Sequence, residues 1–178
     1  LAFIFMFLSI NMYAQEISFV NIKEGISKVG VSSIIQDNSG FIWIGTLGAG
    51  LYKFDGIEYT SYKHKLKDSF SLSSNRVRCA FFDSKNRLWV GTENGLNLYD
   101  KELNRFKRFK LNKESENIAH IISIEEDALN NLIIGTNGTG LYKFNIETFV
   151  SEKYLNSLIE NDENILINCL LQTKQGKT

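Results

Sequence analysis

Apolar residues occur along this chain in short runs that are separated by turn residues, and no useful stretch has helical spacing. One run recurs three times, at 37–46 (DNSGFIWIGT), 83–92 (DSKNRLWVGT) and 127–136 (DALNNLIIGT). The leading aspartates lie 46 and 44 residues apart. Copies in register at nearly equal spacing indicate a structural repeat.

Each copy contains the signals of four short strands. A second glycine and another apolar strand follow each Gly-Thr pair, at 50–55, 95–100 and 140–145. One more strand precedes each aspartate. Aromatic residues predict the fourth strand, and they are Tyr59 and Tyr62, then Phe106 and Phe109, with Phe149 in the third copy. Four antiparallel strands in about 45 residues predict a blade of a β-propeller, so the fold class is all-β.

The central strand of each copy is apolar on both faces, as expected of a sheet that is stacked between neighbouring sheets. Its leading aspartate is expected to cap a tight turn, because an aspartate side chain accepts backbone N–H bonds. The Gly or Asn three residues later tolerates positive φ. Gly45, Gly91 and Gly135 are placed where a side chain would block a close approach or a bend.

Small residues occupy one position of the strand before each aspartate, namely Ser33, Cys79, Ser123 and Cys169. The innermost strand of a radial arrangement is the most crowded, so this row is explained by lack of space. The same alignment argues against a disulfide between Cys79 and Cys169. They occupy equivalent positions on different sheets, and a disulfide needs Cα atoms within about 7 Å.

The repeat assigns residues 16–178 to a partial propeller. We predict complete blades at about 28–66, 73–111 and 117–155, an incomplete blade at 161–178, and an orphan strand at 17–22. That orphan strand would pair with a last blade and lock the ring, since an open arc leaves apolar faces and sheet edges bare. A seven-bladed ring is expected, and it would need roughly 315 residues.

The first ten residues, LAFIFMFLSI, are apolar but shorter than the roughly 20 residues that span a bilayer. With the polar break that follows, they resemble the core of a secretory signal whose charged start is missing. We therefore predict a signal peptide at 1–15 and a periplasmic or cell-surface location. A buried strand of the mature fold is the alternative interpretation.

The charge of the chain does not indicate a nucleic-acid binder, because Lys plus Arg and Asp plus Glu number 20 each. The densest basic run, at 105–110 (RFKRFK), alternates with aromatic residues. This pattern is typical of a strand with one solvated face, and a phosphate-binding patch is the alternative.

No catalytic, cofactor-binding or metal-binding residue is predicted. His64 and His120 lie far apart in the repeat, and His64 is expected in a solvated loop. Each turn aspartate is alone at its turn, so calcium binding is not expected. The glycine-rich segments at 48–50 and 137–140 follow strands, so they are interpreted as turns and not as phosphate-binding loops.

The repeat closely resembles that of the two-component regulator propeller family, whose pattern the segment 75–100 matches almost throughout. Similar lead-in residues occur at 71–75 (SLSSN) and at 24–27 (EGIS), and the resemblance covers about 17–176. Departures are Ile133 in place of Trp, Thr173 in place of Asp, and the pair Glu125 and Glu126 at an otherwise apolar position.

The resemblance implies an extracytoplasmic sensory or ligand-recognition segment of a hybrid two-component regulator that responds to oligosaccharides. It also implies a homodimer formed through the full-length parent and membrane contact only through a downstream helix. Histidine kinase activity would belong to that parent, and no cofactor is expected. The alternatives are an exported surface or secretion-associated propeller that acts as a protein–protein scaffold, and an exported propeller enzyme.

Overall fold

A computed structural model describes residues 28–111, 119–154, 165–167 and 170. These residues form strands, turns and loops, and none of their segments is a helix that could cross a membrane. The predicted signal peptide at 1–15 and the orphan strand at 17–22 lie outside the described residues, as does most of the predicted incomplete blade at 161–178.

The described residues fold into three antiparallel sheets, which we call blades 1 to 3. Blade 1 contains β1 (Val31–Gln36), β2 (Ile42–Thr46), β3 (Leu51–Phe54) and β4 (Tyr59–Tyr62). Blade 2 contains β5 (Val77–Phe82), β6 (Leu88–Thr92), β7 (Gly95–Asp100) and β8 (Arg105–Phe109). Blade 3 contains β9 (His120–Glu126), β10 (Asn131–Gly138), β11 (Leu141–Asn145) and β12 (Ser151–Lys153), and β13 (Ile165–Leu166) pairs with the end of β10. Four strands pair in chain order in each blade, which confirms the predicted all-β propeller architecture.

Each leading aspartate caps the turn between the first and second strands of its blade, as predicted. In blade 2, Oδ1 of Asp83 accepts hydrogen bonds from the backbone N–H groups of Lys85 (3.0 Å) and Arg87 (2.8 Å). Asn86 between them has a φ of 57°. Asp37 and Asp127 cap their turns in the same way.

The glycine of each second strand allows the next blade to approach closely, which confirms its predicted role. A Cβ on Gly91 would lie 2.5 Å from Sγ of Cys79 and 2.5 Å from Cγ2 of Ile121 in blade 3. Gly45 and Gly135 are crowded in the same way, by Val77 and Ile167 of the following segment (2.7 and 2.6 Å).

The small residues predicted on the crowded inner strands pair with these glycines, at Ser33 with Gly45, Cys79 with Gly91, and Ser123 with Gly135. Cys169, the fourth of the row, lies outside the described residues.

The hydrophobic core lies between the blades. The first junction, between blades 1 and 2, buries Trp43, Leu51, Leu72, Val77, Leu88, Val90 and Phe106. The second junction, between blades 2 and 3, buries a larger set that includes Trp89, Ile121, Leu132, Phe144 and Ile146. Each fully buried side chain of this size stabilises the fold by about 1.5–3 kcal/mol. Because the core belongs to the junctions, each blade depends on its neighbours.

Arg108 was expected on the solvated face of the fourth strand, and this expectation is wrong. Its Nε donates to the carbonyl of Ser71 (2.8 Å), and its Nη2 donates to the carbonyls of Asp68 (2.8 Å) and Leu72 (2.9 Å). The side chain therefore holds the segment that connects blade 1 to blade 2 (residues 63–76), which we call the connecting segment. Lys107, the adjacent residue of β8, is exposed as expected.

His64 lies in a loop, as predicted, but its side chain is only partly solvated because the connecting segment covers part of it. Its Nδ1 lies 2.8 Å from the carbonyl oxygen of Leu72, and the residue is half-buried. His64 therefore belongs to the same structural network as Arg108.

We predict that Arg108→Ala lowers the free energy of unfolding by about 2 kcal/mol, since hydrogen bonds to charged groups contribute about 1.5–3 kcal/mol. Urea unfolding of the purified protein measures this loss. Lys110→Ala is the matched control, with an expected change below about 0.5 kcal/mol at an exposed position. Equal losses in the two variants would contradict the anchoring role.

Phe149 was assigned to the fourth strand of blade 3, but it lies before β12 in the turn that follows β11. Its φ is 57°, and its N–H donates to the carbonyl of Asn145 (2.9 Å). The ring still stacks on Phe109 of blade 2, with centroids 5.0 Å apart. A longer turn therefore replaces part of the expected strand while the contact between the blades is kept.

Cys79 is a free thiol on the inner strand of blade 2, and burial raises its pKa to about 12. We predict that iodoacetamide modifies Cys79 at least about tenfold more slowly in the folded than in the urea-unfolded protein at pH 8, since the raised pKa lowers the thiolate fraction in the folded state. Peptide mass spectrometry resolves this residue from Cys169. Similar rates in both states would show that the thiol is accessible.

Candidate functional site: a cavity at the first junction

A cavity of about 390 Å³ opens between blades 1 and 2, at the end that carries the turns after β1 and β7. Its wall in blade 1 consists of Asp37, Ser39, Trp43 and Lys53. Its wall in blade 2 includes Phe82, Arg87, Tyr99, Asp100, Lys101 and Glu102. The volume falls near the lower end of the range for small-molecule sites, about 300–1,000 Å³.

The turn aspartates hold the tryptophans at both junctions. Oδ2 of Asp37 accepts a hydrogen bond from Nε1 of Trp43 (3.0 Å), and Oδ2 of Asp83 accepts one from Nε1 of Trp89 (2.8 Å). Sequence reasoning assigned only the turn cap to these aspartates. The signal that could have revealed the bond is the constant spacing of six residues between Asp and Trp.

Blade 3 has Ile133 where the other blades have tryptophan, and its aspartate has other partners. Nδ2 of Asn131 lies 3.1 Å from Oδ2 of Asp127, and Nζ of Lys143 lies 3.7 Å from the same oxygen. The departure of this blade from the repeat pattern therefore leaves its turn capped.

Aromatic side chains make the cavity wall rigid. The ring of Tyr99 packs edge-on against Trp43 (5.0 Å) and Tyr62 (5.6 Å). The hydroxyls of Tyr62 and Tyr99 both donate to Oδ1 of Asn104, at 2.8 Å each. Burial raises the pKa of the Tyr62 hydroxyl, and its contact with Tyr99 adds to this effect. Tyr99 is therefore fixed in position, with part of its surface exposed.

Two of the three cations of the cavity wall, Lys53 and Arg87, lie against aromatic rings. Nζ of Lys53 is 3.6 Å from the ring centroid of Phe41 and 5.5 Å from that of Trp43. Arg87 pairs through Nε with Asp83 (2.7 Å), and its Nη2 is buried without a hydrogen-bond partner among the described residues.

The second junction is closed by two polar bridges at the equivalent place. Lys85 of blade 2 forms an ion pair with Glu147 of blade 3. Glu126 of blade 3 accepts hydrogen bonds from the N–H (2.6 Å) and Oγ (2.9 Å) of Ser84. Between these bridges and the core, Ile146 is only 1% exposed. Glu126, which departs from the apolar repeat pattern, is therefore a link between blades that sequence reasoning missed.

Three of the corresponding repeat positions carry other residues at the first junction. Ser39 is equivalent to Lys85, so Glu102, the equivalent of Glu147, has no lysine to pair with across the gap. Phe82 is equivalent to Glu126, and the exposed Lys101 is equivalent to the buried Ile146. Three exchanges at repeat positions thus separate an open junction from a closed one.

The histidines and turn aspartates, for which no metal-binding or catalytic role is predicted, are not brought together in the structure. The described part of the chain contains no group of three or more His, Cys, Asp or Glu side chains that could hold a metal ion. His64 is placed in the connecting segment, and His120 at the start of β9. The groups that line the cavity are carboxylates, cations, hydroxyls and aromatic rings.

Two segments of the chain match the model of a known family. The model of the two-component regulator propeller family matches residues 25–48 and 71–94. A curated histidine kinase of Formosa agariphila is 38% identical over 121 residues, which cover 64% of this chain and 9% of the kinase.

Two solved structures from B. thetaiotaomicron have a similar fold. One is described as the extracellular domain of a hybrid two-component system, with 27% identity, a TM-score of 0.69, and coverage of 83% of this chain and 21% of that chain. The other, described as the extracellular domain of a one-component system, has 23% identity, a TM-score of 0.64, and coverage of 75% and 18%. The present chain therefore spans less than a quarter of each of these proteins.

Proposed function

Because this chain carries the repeats of the two-component regulator propeller family, we propose that it is an extracytoplasmic sensory segment of a hybrid two-component regulator that responds to oligosaccharides. The observation that carries this proposal is the 38% identity with a histidine kinase over 121 residues. The likeness to the extracellular domain of a hybrid two-component system supports the same role and the same side of the membrane.

The geometry of the blades suits a sensor that must transmit a binding event. The core lies at the junctions, so a ligand that changes one junction acts on the packing of two neighbouring blades. Packed interfaces of this kind switch between discrete arrangements more readily than they deform continuously. The propeller thus provides rigid blades, and the junctions are the places where a ligand changes the structure. In this proposal the full-length protein acts as a homodimer.

Phosphorylation of the full-length protein tests the proposed role. Membrane vesicles that contain it are incubated with labelled ATP, with and without short oligosaccharides, and incorporated phosphate is measured. We expect an oligosaccharide to change the rate of phosphorylation. A kinase that is indifferent to every oligosaccharide would contradict the ligand class. A reading frame with a secretion-sorting domain and no kinase core would favour the scaffold alternative.

A further inference from the structure

We propose that the cavity at the first junction binds one neutral sugar unit, and that this ligand bridges blades 1 and 2. The choice of ligand class rests on the proposed function, whereas the location of the site rests on the geometry of the junction. A bound sugar would supply across the first junction the polar contacts that Lys85, Glu147, Ser84 and Glu126 supply across the second.

The charges of the cavity favour a neutral ligand. Three carboxylates (Asp37, Asp100, Glu102) and three cations (Lys53, Arg87, Lys101) line it, so no net charge attracts an ion of either sign. An anionic ligand would meet three carboxylates as well as three cations, so the cavity offers it no net Coulomb attraction. A sugar hydroxyl both donates and accepts hydrogen bonds, so it can satisfy groups of both kinds.

Tyr99 lines the cavity with part of its surface exposed, and in this proposal that part contacts the CH groups of the sugar. The edge contacts with Trp43 and Tyr62, and the hydrogen bond to Asn104, hold this ring in one orientation before any ligand arrives. Aromatic side chains that are fixed in this way lose little conformational entropy on binding. Ser39 and Glu102, which are exposed and make no contact with each other across the opening, provide a hydroxyl and a carboxylate for hydrogen bonds.

The open state of the first junction requires an explanation, because the same chain closes the equivalent place in the second. An unfilled gap between blades forfeits the packing that a buried side chain such as Ile146 provides. Proteins retain destabilising features of this kind at sites where activity needs them. A ligand that fills the gap would restore the lost contacts, so binding and closure of the junction are coupled.

The variant Ser39→Lys tests the site directly, because it places at the first junction the residue that closes the second. The new ammonium group would face Glu102 as Lys85 faces Glu147. Isothermal titration calorimetry of the full-length protein with cello-, xylo- and mannooligosaccharides measures the effect. We expect at least one neutral oligosaccharide to bind the native protein, and its affinity to fall about tenfold or more in Ser39→Lys.

The exchange Lys85→Ser is the matched control, since it changes the same repeat position at the second junction. Affinity for the same oligosaccharide is expected to stay within about twofold of the native value. Glu102→Gln removes the carboxylate and keeps the size of the side chain, and a loss of about three- to tenfold is expected from one weaker hydrogen bond. Near-ultraviolet circular dichroism shows that each variant keeps its packed aromatic core.

The two tryptophans of the chain give an independent readout, because each reports on one junction. In the full-length protein, we expect the variant Trp89→Phe to keep a fluorescence change on titration with the bound oligosaccharide, and the variant Trp43→Phe to lose it, because Trp43 lies in the cavity wall. Calorimetry establishes the ligand concentration that saturates the protein. If the fluorescence spectrum of Trp89→Phe is unchanged at that concentration, the ligand binds elsewhere and the assignment is overturned.

The outcomes separate this inference from the proposed function. Failure of all three neutral oligosaccharide series to bind, or equal affinity of Ser39→Lys and the native protein, overturns the site. If the full-length protein still changes its phosphorylation with an oligosaccharide, and Ser39→Lys responds equally, the sensory role stands while the cavity is excluded. Tighter binding of oligouronates than of their neutral counterparts overturns the ligand class inferred for the cavity.

Discussion

Replacing Asp83 with alanine is expected to lower the free energy of unfolding by about 3–5 kcal/mol, the range observed when one partner of a buried ion pair is removed. The side chain is 0% exposed, and its two oxygens accept four hydrogen bonds. Without them the indole N–H of Trp89 is buried with no acceptor, and Arg87 loses its counter-ion. Urea unfolding followed by tryptophan fluorescence measures the loss.

The matched control for this prediction is Asp127→Ala. The side chain of Asp127 is 19% exposed and has no tryptophan partner, since Ile133 replaces that residue. The expected loss is about 1–2 kcal/mol, typical of a lost cap. If the two variants lose the same stability, the bond between Asp83 and Trp89 contributes nothing beyond the turn cap.

Gly91→Ala is expected to lower the free energy of unfolding by about 2–3 kcal/mol, because a single added methyl group overpacks the second junction. Its Cβ would lie 2.5 Å from both Sγ of Cys79 and Cγ2 of Ile121. Neither neighbour can give way freely, since one lies on the adjacent strand and the other in the next blade. Thermal unfolding should show a melting temperature about 5–10 °C below that of the native protein.

Gly48→Ala is the control for the second prediction, because a Cβ at that position meets nothing within 4 Å. Its stability is expected to change by less than about 0.5 kcal/mol. A double variant, Gly91→Ala with Cys79→Ala, should recover part of the loss, because one of the two clashes is removed. A Gly91→Ala protein as stable as Gly48→Ala would show that the blades are not in close contact at this glycine.

Repetition explains why so much of the fold could be predicted. A single Asp-x-x-Asn turn is a weak signal, but three copies at one spacing predict a common unit, and the structure confirms three capped turns. The crowding at Gly45, Gly91 and Gly135 could be predicted for the same reason. Each of these features depends mainly on residues close in sequence or at the same place in neighbouring repeats.

The expectations that the structure corrects depend on contacts that the local pattern does not show. Arg108 was interpreted from its immediate neighbours, yet its bond to Ser71 spans 37 residues. For His64 the loop was predicted, but its contact with the carbonyl of Leu72 was not. Phe149 was assigned from the spacing of aromatics, which cannot show that a turn extends by a few residues.

The sequence by itself determined the blade, the order of its strands, the aspartate caps and the glycines at which blades meet. Only the tertiary structure decided which junction is open, because that depends on pairs such as Lys85 with Glu147, which are 62 residues apart, and Ser84 with Glu126, which are 42 apart. Turn and strand residues close in sequence determine the backbone of each blade. The cavity, in contrast, exists because side chains at equivalent repeat positions form polar contacts across the second junction and form none across the first.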